Sequence, residues 1–157
     1  MKTVILQYNA GNIRSVSFAL ERLGIQPLIT DNPEEIQSAD RVIFPGVGEA
    51  SSAMKYLRER QLDLLIRNLK QPVLGICLGL QLLCTHSEEN DTKGLGIFET
   101  KVKKFTNLST FSGKIPQIGW NLVHFSDEME DCYYFVHSYY AEICNQTIAT
   151  TDYGVQF

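Results

Sequence analysis

At 157 residues, 44% hydrophobic and 20% charged, the chain has the size and composition of one soluble globular domain, one that buries about 68–70% of its unfolded surface. Its 14 basic against 18 acidic side chains give a formal charge of −4, which disfavours nucleic acid as a partner because phosphate-backbone binders present a basic face. No apolar run approaches the roughly 20 residues of a membrane span, and Val4 to Leu6 is too short an apolar stretch for a signal peptide. The expectation is a cytoplasmic protein with no membrane partner.

The first half alternates short β-branched runs with helical patterns, as βα units around a parallel sheet do. Thr3 to Tyr8 reads as the first strand, and the Asn9-Ala10-Gly11-Asn12 that follows reads as turn chemistry. From Asn12, Val16, Ala19, Leu20 and Leu23 fall at helical spacing and Gly24 supplies a left-handed stop. Pro27 to Thr30 is a second strand, and Asp31-Asn32-Pro33-Glu34-Glu35 opens a short helix with cap residues, a first-position proline and acids matched to the dipole. Arg41 to Phe44 is a third strand, followed by Pro45-Gly46-Val47-Gly48 and then a helical segment, broken or continuous, to Lys70. Pro72 to Ile76 is apolar throughout and predicts a central strand buried on both faces.

Beyond a helix that begins near Leu78 and carries Cys84 and His86 on its later turns, the pattern changes. Ser87 to Thr92 is a polar loop, Gly94 and Gly96 mark a turn, and the runs at Thr100–Phe105, Gln117–Phe125, Tyr133–Tyr140 and Thr147–Thr150 predict strands. Lys101-Val102-Lys103-Lys104 reads as a solvated strand edge. The fold class expected is α/β: a flavodoxin-like sandwich with a mostly parallel central sheet, helices on both faces and antiparallel additions in the second half.

The most informative segment is Gly75-Ile76-Cys77-Leu78-Gly79. A strand runs into a helix with a thiol at the junction and glycine two positions to either side, the pattern of a nucleophile elbow. The helix N-terminus there favours a thiolate and an incoming oxyanion. The alternative is that Cys77 is a small buried hydrophobe and the glycines merely allow close packing. Cys84, Cys132 and Cys144 are expected in the core; with no CxxC pair and no histidine at zinc-ligand spacing, no metal site is expected. The glycines of Pro45–Gly48 allow a backbone to approach a ligand, and its N–H groups could complete an oxyanion hole beside Cys77. No GKS/T or GxGxxG stands beside them, so a nucleotide site is disfavoured.

Gly75-Ile76-Cys77-Leu78-Gly79-Leu80-Gln81-Leu82 resembles the nucleophile motif of class I, triad-type glutamine amidotransferases. Tyr8-Asn9-Ala10-Gly11-Asn12 with Arg14-Ser15-Val16, Pro45–Gly48, Pro116-Gln117-Ile118-Gly119-Trp120-Asn121 and Tyr134-Phe135-Val136-His137-Ser138-Tyr139-Tyr140 narrow the likeness to the glutaminase branch that serves imidazole glycerol phosphate synthase.

The resemblance implies that Cys77 attacks the side-chain amide of glutamine, releasing ammonia and then glutamate through a thioester. Ammonia passes to a (β/α)8-barrel cyclase subunit that closes the imidazole ring in histidine biosynthesis, and no cofactor is implied. It also implies oxyanion-hole backbone at Val47, Gly48 and Leu78, and glutamine contacts at Gly46, Gln81, Ser138 and Tyr139. The family's base and orienting carboxylate lie in a His-Pro-Glu segment, whereas this sequence closes on Gly154-Val155-Gln156-Phe157, read as strand. The expectation is therefore a single domain over 1–157 without its C-terminal portion, whose Tyr153 to Phe157 leaves an exposed apolar edge. His137 is expected to position rather than to act as base, His86 to be surface, and His124 to be structural. Two other roles stay open: a non-catalytic partner-binding copy, and a paralogue serving another ammonia acceptor.

Overall fold

The protein is described by a computed structural model covering residues 1–9, 12–105 and 113–157. Ala10 and Gly11, the centre of the turn expected after the first strand, lie outside the described residues.

Apolar and β-branched residues form β1 (Thr3–Leu6), β2 (Leu28–Thr30), β3 (Arg41–Phe44) and β4 (Val73–Gly75), a parallel sheet in the order β2-β1-β3-β4. Parallel neighbours need crossovers, and helices supply them. In α1 (Ile13–Arg22) the Asn12 side chain accepts from the Ser15 N–H, and Gly24 at φ +75° follows its end. In α2 (Pro33–Gln37) Asn32 caps the N–H groups of Glu34 and Glu35. The long helical segment is broken into α3 (Ala50–Glu59) and α4 (Leu62–Asn68), because Gln61 between them takes φ +56°. Val4, Leu6, Val42 and Phe44 pack into one core with Met54, Leu57 and Leu62. Ile5 and Ile43, of the opposite parity, are buried outside that cluster, so both faces of the sheet are covered.

The helix at the elbow, α5 (Leu78–Leu83), is shorter than its sequence pattern predicts. Cys84–Ser87 is a strand, β5, so neither Cys84 nor His86 is helical. The returning chain explains this: the N–H groups of Leu95, Ile97 and Gly96 bond the carbonyls of Leu82, Leu83 and Cys84 at 2.8, 2.8 and 3.0 Å. Those carbonyls are then satisfied outside the helix. A 3-10 turn at Glu89–Asp91, β6 (Thr92–Lys93), β7 (Phe98–Lys104) and β10 (Tyr139–Ala141) complete a mixed sheet, β10-β7-β5-β6. The third sheet is antiparallel, β11-β8-β9, from β8 (Gln117–Phe125), β9 (Glu130–His137) and β11 (Ala149–Thr151).

Four further expectations are corrected. β4 is an edge of its sheet among the described residues, with Leu74 57% exposed; an apolar run reports propensity for burial but not which neighbours supply it. Lys101 to Lys104 lies in the interior strand β7, with Val102 fully buried below and Lys103 paired to Glu88 at 3.1 Å above. Cys132 is exposed rather than core, because its parity puts it on the outer face of the β8–β9 hairpin opposite Leu122. Tyr153 to Phe157 does not extend as a free edge strand: it turns back through Gly154 at φ +75°, exchanges backbone bonds between Phe157 and Thr151, and sets the Phe157 ring against Phe105, Phe135 and Tyr140.

Candidate active site

The elbow is built by close approach. Ile76 donates its N–H to the Phe44 carbonyl at 3.0 Å, which holds the end of β4 to β3. A Cβ at Gly79 would overlap the Phe44 carbonyl oxygen, and one at Gly75 would come within 2.8 Å of the Leu80 backbone. Both flanking glycines are therefore steric requirements of the strand-to-helix turn. Between them Cys77 takes φ +53° and ψ −113°, a conformation that disfavours any residue with a Cβ. That backbone is what lifts the thiol to the C-terminal edge of the sheet and onto a cleft of ≈800 Å3.

Cys77 is exposed on the cleft, and its surroundings act in both directions on the thiolate that the helix N-terminus was expected to favour. Burial pushes the Cys77 thiol above its ordinary value; the Leu78 N–H pulls it back only in part, and the Glu89 carboxylate pushes it higher. A helix of 6 residues offers little dipole to offset desolvation.

Opposite the elbow, the Pro45–Gly48 loop packs tightly. A Cβ on Gly46 would meet the Gly79 nitrogen at 2.6 Å and Leu78 Cβ at 2.7 Å, and Gly48 has φ +107°. The Leu78 N–H, an expected oxyanion donor, is given to the Gly46 carbonyl at 3.3 Å. Since a trans peptide points its C=O and N–H in opposite directions, the carbonyl of the Gly46–Val47 unit faces the elbow and the Val47 N–H faces away. The loop and the elbow are brought together as expected, but with the Val47 and Leu78 donors not directed at a common oxyanion.

Of the glutamine-contact candidates, Gln81 and Tyr139 meet beside Cys77, whereas Gly46 and Ser138 do not line the cleft. Gln81 Nε2 donates to the Tyr139 carbonyl at 3.0 Å, tying α5 to the crossing from β9 to β10. His137 reaches the same carbonyl through Nδ1 at 2.8 Å, and its Nε2 pairs with the buried Gln117 carboxamide at 2.8 Å. Ser138 lies between, its carbonyl accepting the Phe105 N–H at 3.3 Å. Cys77, Gln81, His137 and Tyr139 line the one cleft. Burial holds His137 below its ordinary value, with the Tyr139 carbonyl pulling the other way; both ring nitrogens are occupied. His86 bonds Asp91 at 2.7 Å and His124 bonds Glu130 at 2.7 Å. All 3 histidines of the chain are thus committed to other partners.

Glu89 is the residue that sequence reasoning passed over. Its carboxylate accepts the Ala50 N–H at 2.8 Å, and it acts electrostatically on both Cys77 and Tyr139. Burial raises its own carboxyl, the Ala50 bond lowers it, and nearby Glu49 raises it again. The available signal was an acid in the loop after the elbow helix, which reads locally only as a polar turn. Among the described residues no cluster of three or more His, Cys, Asp or Glu side chains could hold a metal ion, and no helix is long and apolar enough to cross a membrane.

A cysteine on a glycine-flanked elbow beside a glycine-rich loop is the arrangement of a thiol amidohydrolase. The family model for class-I glutamine amidotransferases matches residues 4–156, and the chain belongs to that family of glutaminase-type enzymes. Within it, similarity runs to proteins named imidazole glycerol phosphate synthase subunit HisH: 49% identity with the one from Bacteroides thetaiotaomicron, over 98% of this chain and 81% of that protein. The Idiomarina loihiensis protein of that name is 44% identical over 100% of this chain and 82% of its own length, and the Yersinia pseudotuberculosis protein 43% over 100% and 83%. The fold matches a crystal structure of a glutamine amidotransferase with TM-score 0.74 at 19% identity, covering 96% of this chain and 85% of the other. It also matches the crystal structure of a GMP synthase component from Thermoplasma acidophilum with TM-score 0.65 at 17% identity, covering 98% and 74%.

Proposed function

We propose that the chain is the glutamine-hydrolysing part of an imidazole glycerol phosphate synthase, producing ammonia for histidine biosynthesis. The observation that carries the reading is Cys77, held at φ +53° on the elbow and opening on the cleft that Gln81 and Tyr139 line. The Cys77 sulfur adds to the amide carbon of the glutamine side chain as the thiol gives up its proton. The resulting oxyanion collapses, the C–N bond breaks, and ammonia leaves carrying the proton that the thiol gave up. Water then adds to the thioester, the C–S bond breaks, and glutamate departs as the thiol is restored.

The roles assigned to individual residues are part of the proposal. Gln81, Ser138, Tyr139 and Gly46 frame the substrate, and Glu89 receives its α-ammonium, a pairing supported by the reach of that carboxylate to both Cys77 and Tyr139. Val47, Gly48 and Leu78 form the oxyanion hole once the Gly46–Val47 peptide turns and releases Leu78; the missing Cβ of Gly46 eases the ψ rotation which that turn needs. The general base is none of the 3 histidines, whose ring nitrogens are engaged elsewhere.

The partner reading rests on a surface. Ile118, Trp120, Leu122, Tyr134 and Val136 share the outer face of the β8–β9 hairpin and are all exposed. A contiguous apolar face of this kind marks a docking site, and the (β/α)8-barrel cyclase subunit is its proposed occupant, since the named relatives are subunits of a synthase.

The test is covalent capture of Cys77 by a chloroketone analogue of glutamine, followed by intact mass. The expected result is one adduct on Cys77 whose formation L-glutamine suppresses. Capture that glutamine does not slow, or an adduct elsewhere, would remove the reading.

A further inference from the structure

Tyr8 follows β1, so its side chain rises beside the loop that leaves the neighbouring strand β3. It is buried, its ring lies 5.3 Å from that of Phe44, and its hydroxyl donates to the Pro45 carbonyl at 2.6 Å. The same hydroxyl bounds Gly46: a Cβ there would lie 2.7 Å from Tyr8 Oη. Tyr8 and Cys77 are close enough that the charge of one disfavours the charge of the other. Burial first, and Cys77 second, hold the phenol well above its ordinary range, so it remains a donor.

Two adjacent peptide planes of the loop are therefore held in different ways. The Pro45–Gly46 plane is held by the short bond from Tyr8 at 2.6 Å, and the Gly46–Val47 plane by the long bond from Leu78 at 3.3 Å. Turning the Val47 N–H toward an oxyanion breaks the second bond and leaves the first intact. Pro45 restricts its own φ as well, so the stationary side of the rotation is the one that Tyr8 grips.

We propose that Tyr8 is a positioning residue for the oxyanion loop: its hydroxyl anchors the Pro45 carbonyl as the pivot about which the Gly46–Val47 peptide turns to face the Cys77 adduct. The role rests on the glutaminase reading and acts through backbone, since Tyr8 bonds the Pro45 carbonyl and is not among the residues that line the cleft.

Tyr8→Phe, made in the full 157-residue chain, keeps the ring and removes the anchor. Two reagents are compared: a chloroketone analogue of glutamine, whose carbonyl oxygen needs the hole, and iodoacetamide, which alkylates the thiol without forming an oxyanion. Capture by the chloroketone is expected to fall by about tenfold, the effect of losing one good hydrogen bond, with iodoacetamide alkylation unchanged. Equal chloroketone rates in parent and variant would overturn the proposal. So would a matched loss with both reagents, or a faster iodoacetamide reaction, because either marks Tyr8 as packing alone. If the parent shows no glutamine-sensitive preference for the chloroketone, the glutaminase reading fails and the positioning role with it.

Discussion

The parallel sheet and the β8–β9 hairpin use similar apolar residues to opposite ends. Val4, Leu6, Val42 and Phe44 are buried to within 2% of completely, whereas Trp120 is 72% exposed beside Tyr134, its edge-to-face neighbour at 5.6 Å. In the first region apolar area holds two glycine-flanked turns close enough to make a site. In the second it is left on a two-stranded surface where nothing in the chain covers it among the described residues. The contrast teaches that burial separates a stabilising residue from a recognising one, since residue type is the same in both.

The strongest way to break that contrast is in the packed region. Gly79→Ala sets a Cβ into the Phe44 carbonyl oxygen, and the expected outcome is loss of more than about 4 kcal/mol of stability in urea unfolding, in the range reached by core overpacking and backbone strain. Phe44→Ala empties a fully buried ring site and is expected to cost about 3–5 kcal/mol in the same measurement. Trp120→Ala sharpens the comparison from the other side: stability should stay within about 0.5 kcal/mol, while affinity for the cyclase subunit, read by titration calorimetry, falls by about 2 kcal/mol or roughly 30-fold. A stability loss in Trp120→Ala as large as that of Phe44→Ala would erase the distinction.

The smallest effect lies at the N-terminus of α3. Burial works to raise the Glu49 carboxyl, but the N–H groups of Ser51 and Ser52, the Ser51 hydroxyl and the Asn90 amide outweigh it and hold it at about 2. Glu49→Ala is expected to cost about 1 kcal/mol, as removal of a helix cap does. Because the folded value is depressed, the unfolded chain takes up the proton first as pH falls. The contribution is present above the ordinary value of 4.5 and is lost as pH falls toward about 2. A parent and variant whose stability difference is the same at pH 7 and pH 2.5 would contradict this.

Much of the site was legible because its signals are local. The glycine spacing around Cys77 is a statement about backbone conformation: it predicted a sharp elbow, and Cys77 stands at that turn with φ +53°. Asn32-Pro33 likewise declared the start of α2, since a cap and a first-position proline act within one turn. What was not legible depended on partners distant in sequence. The early end of α5 follows from carbonyls captured by Leu95 to Ile97, and the raised thiol from burial and from Glu89, which a polar loop brings back to the elbow. Exposure of Leu74 and Cys132 was misread for the same reason, since each looks like core until its neighbours are known.

The sequence by itself determined the glycine-flanked cysteine elbow, the glycine-rich loop beside it, the family and the α/β class, because turn conformation and strand periodicity are written within a few residues. Only the tertiary structure decided which way the Gly46–Val47 peptide faces, that Tyr8 grips the stretch of chain beside it, and that desolvation and Glu89 push the Cys77 thiol up. Those depend on distances between segments that meet only when β1, β3 and β4 lie side by side, and on the loss of water that their packing imposes.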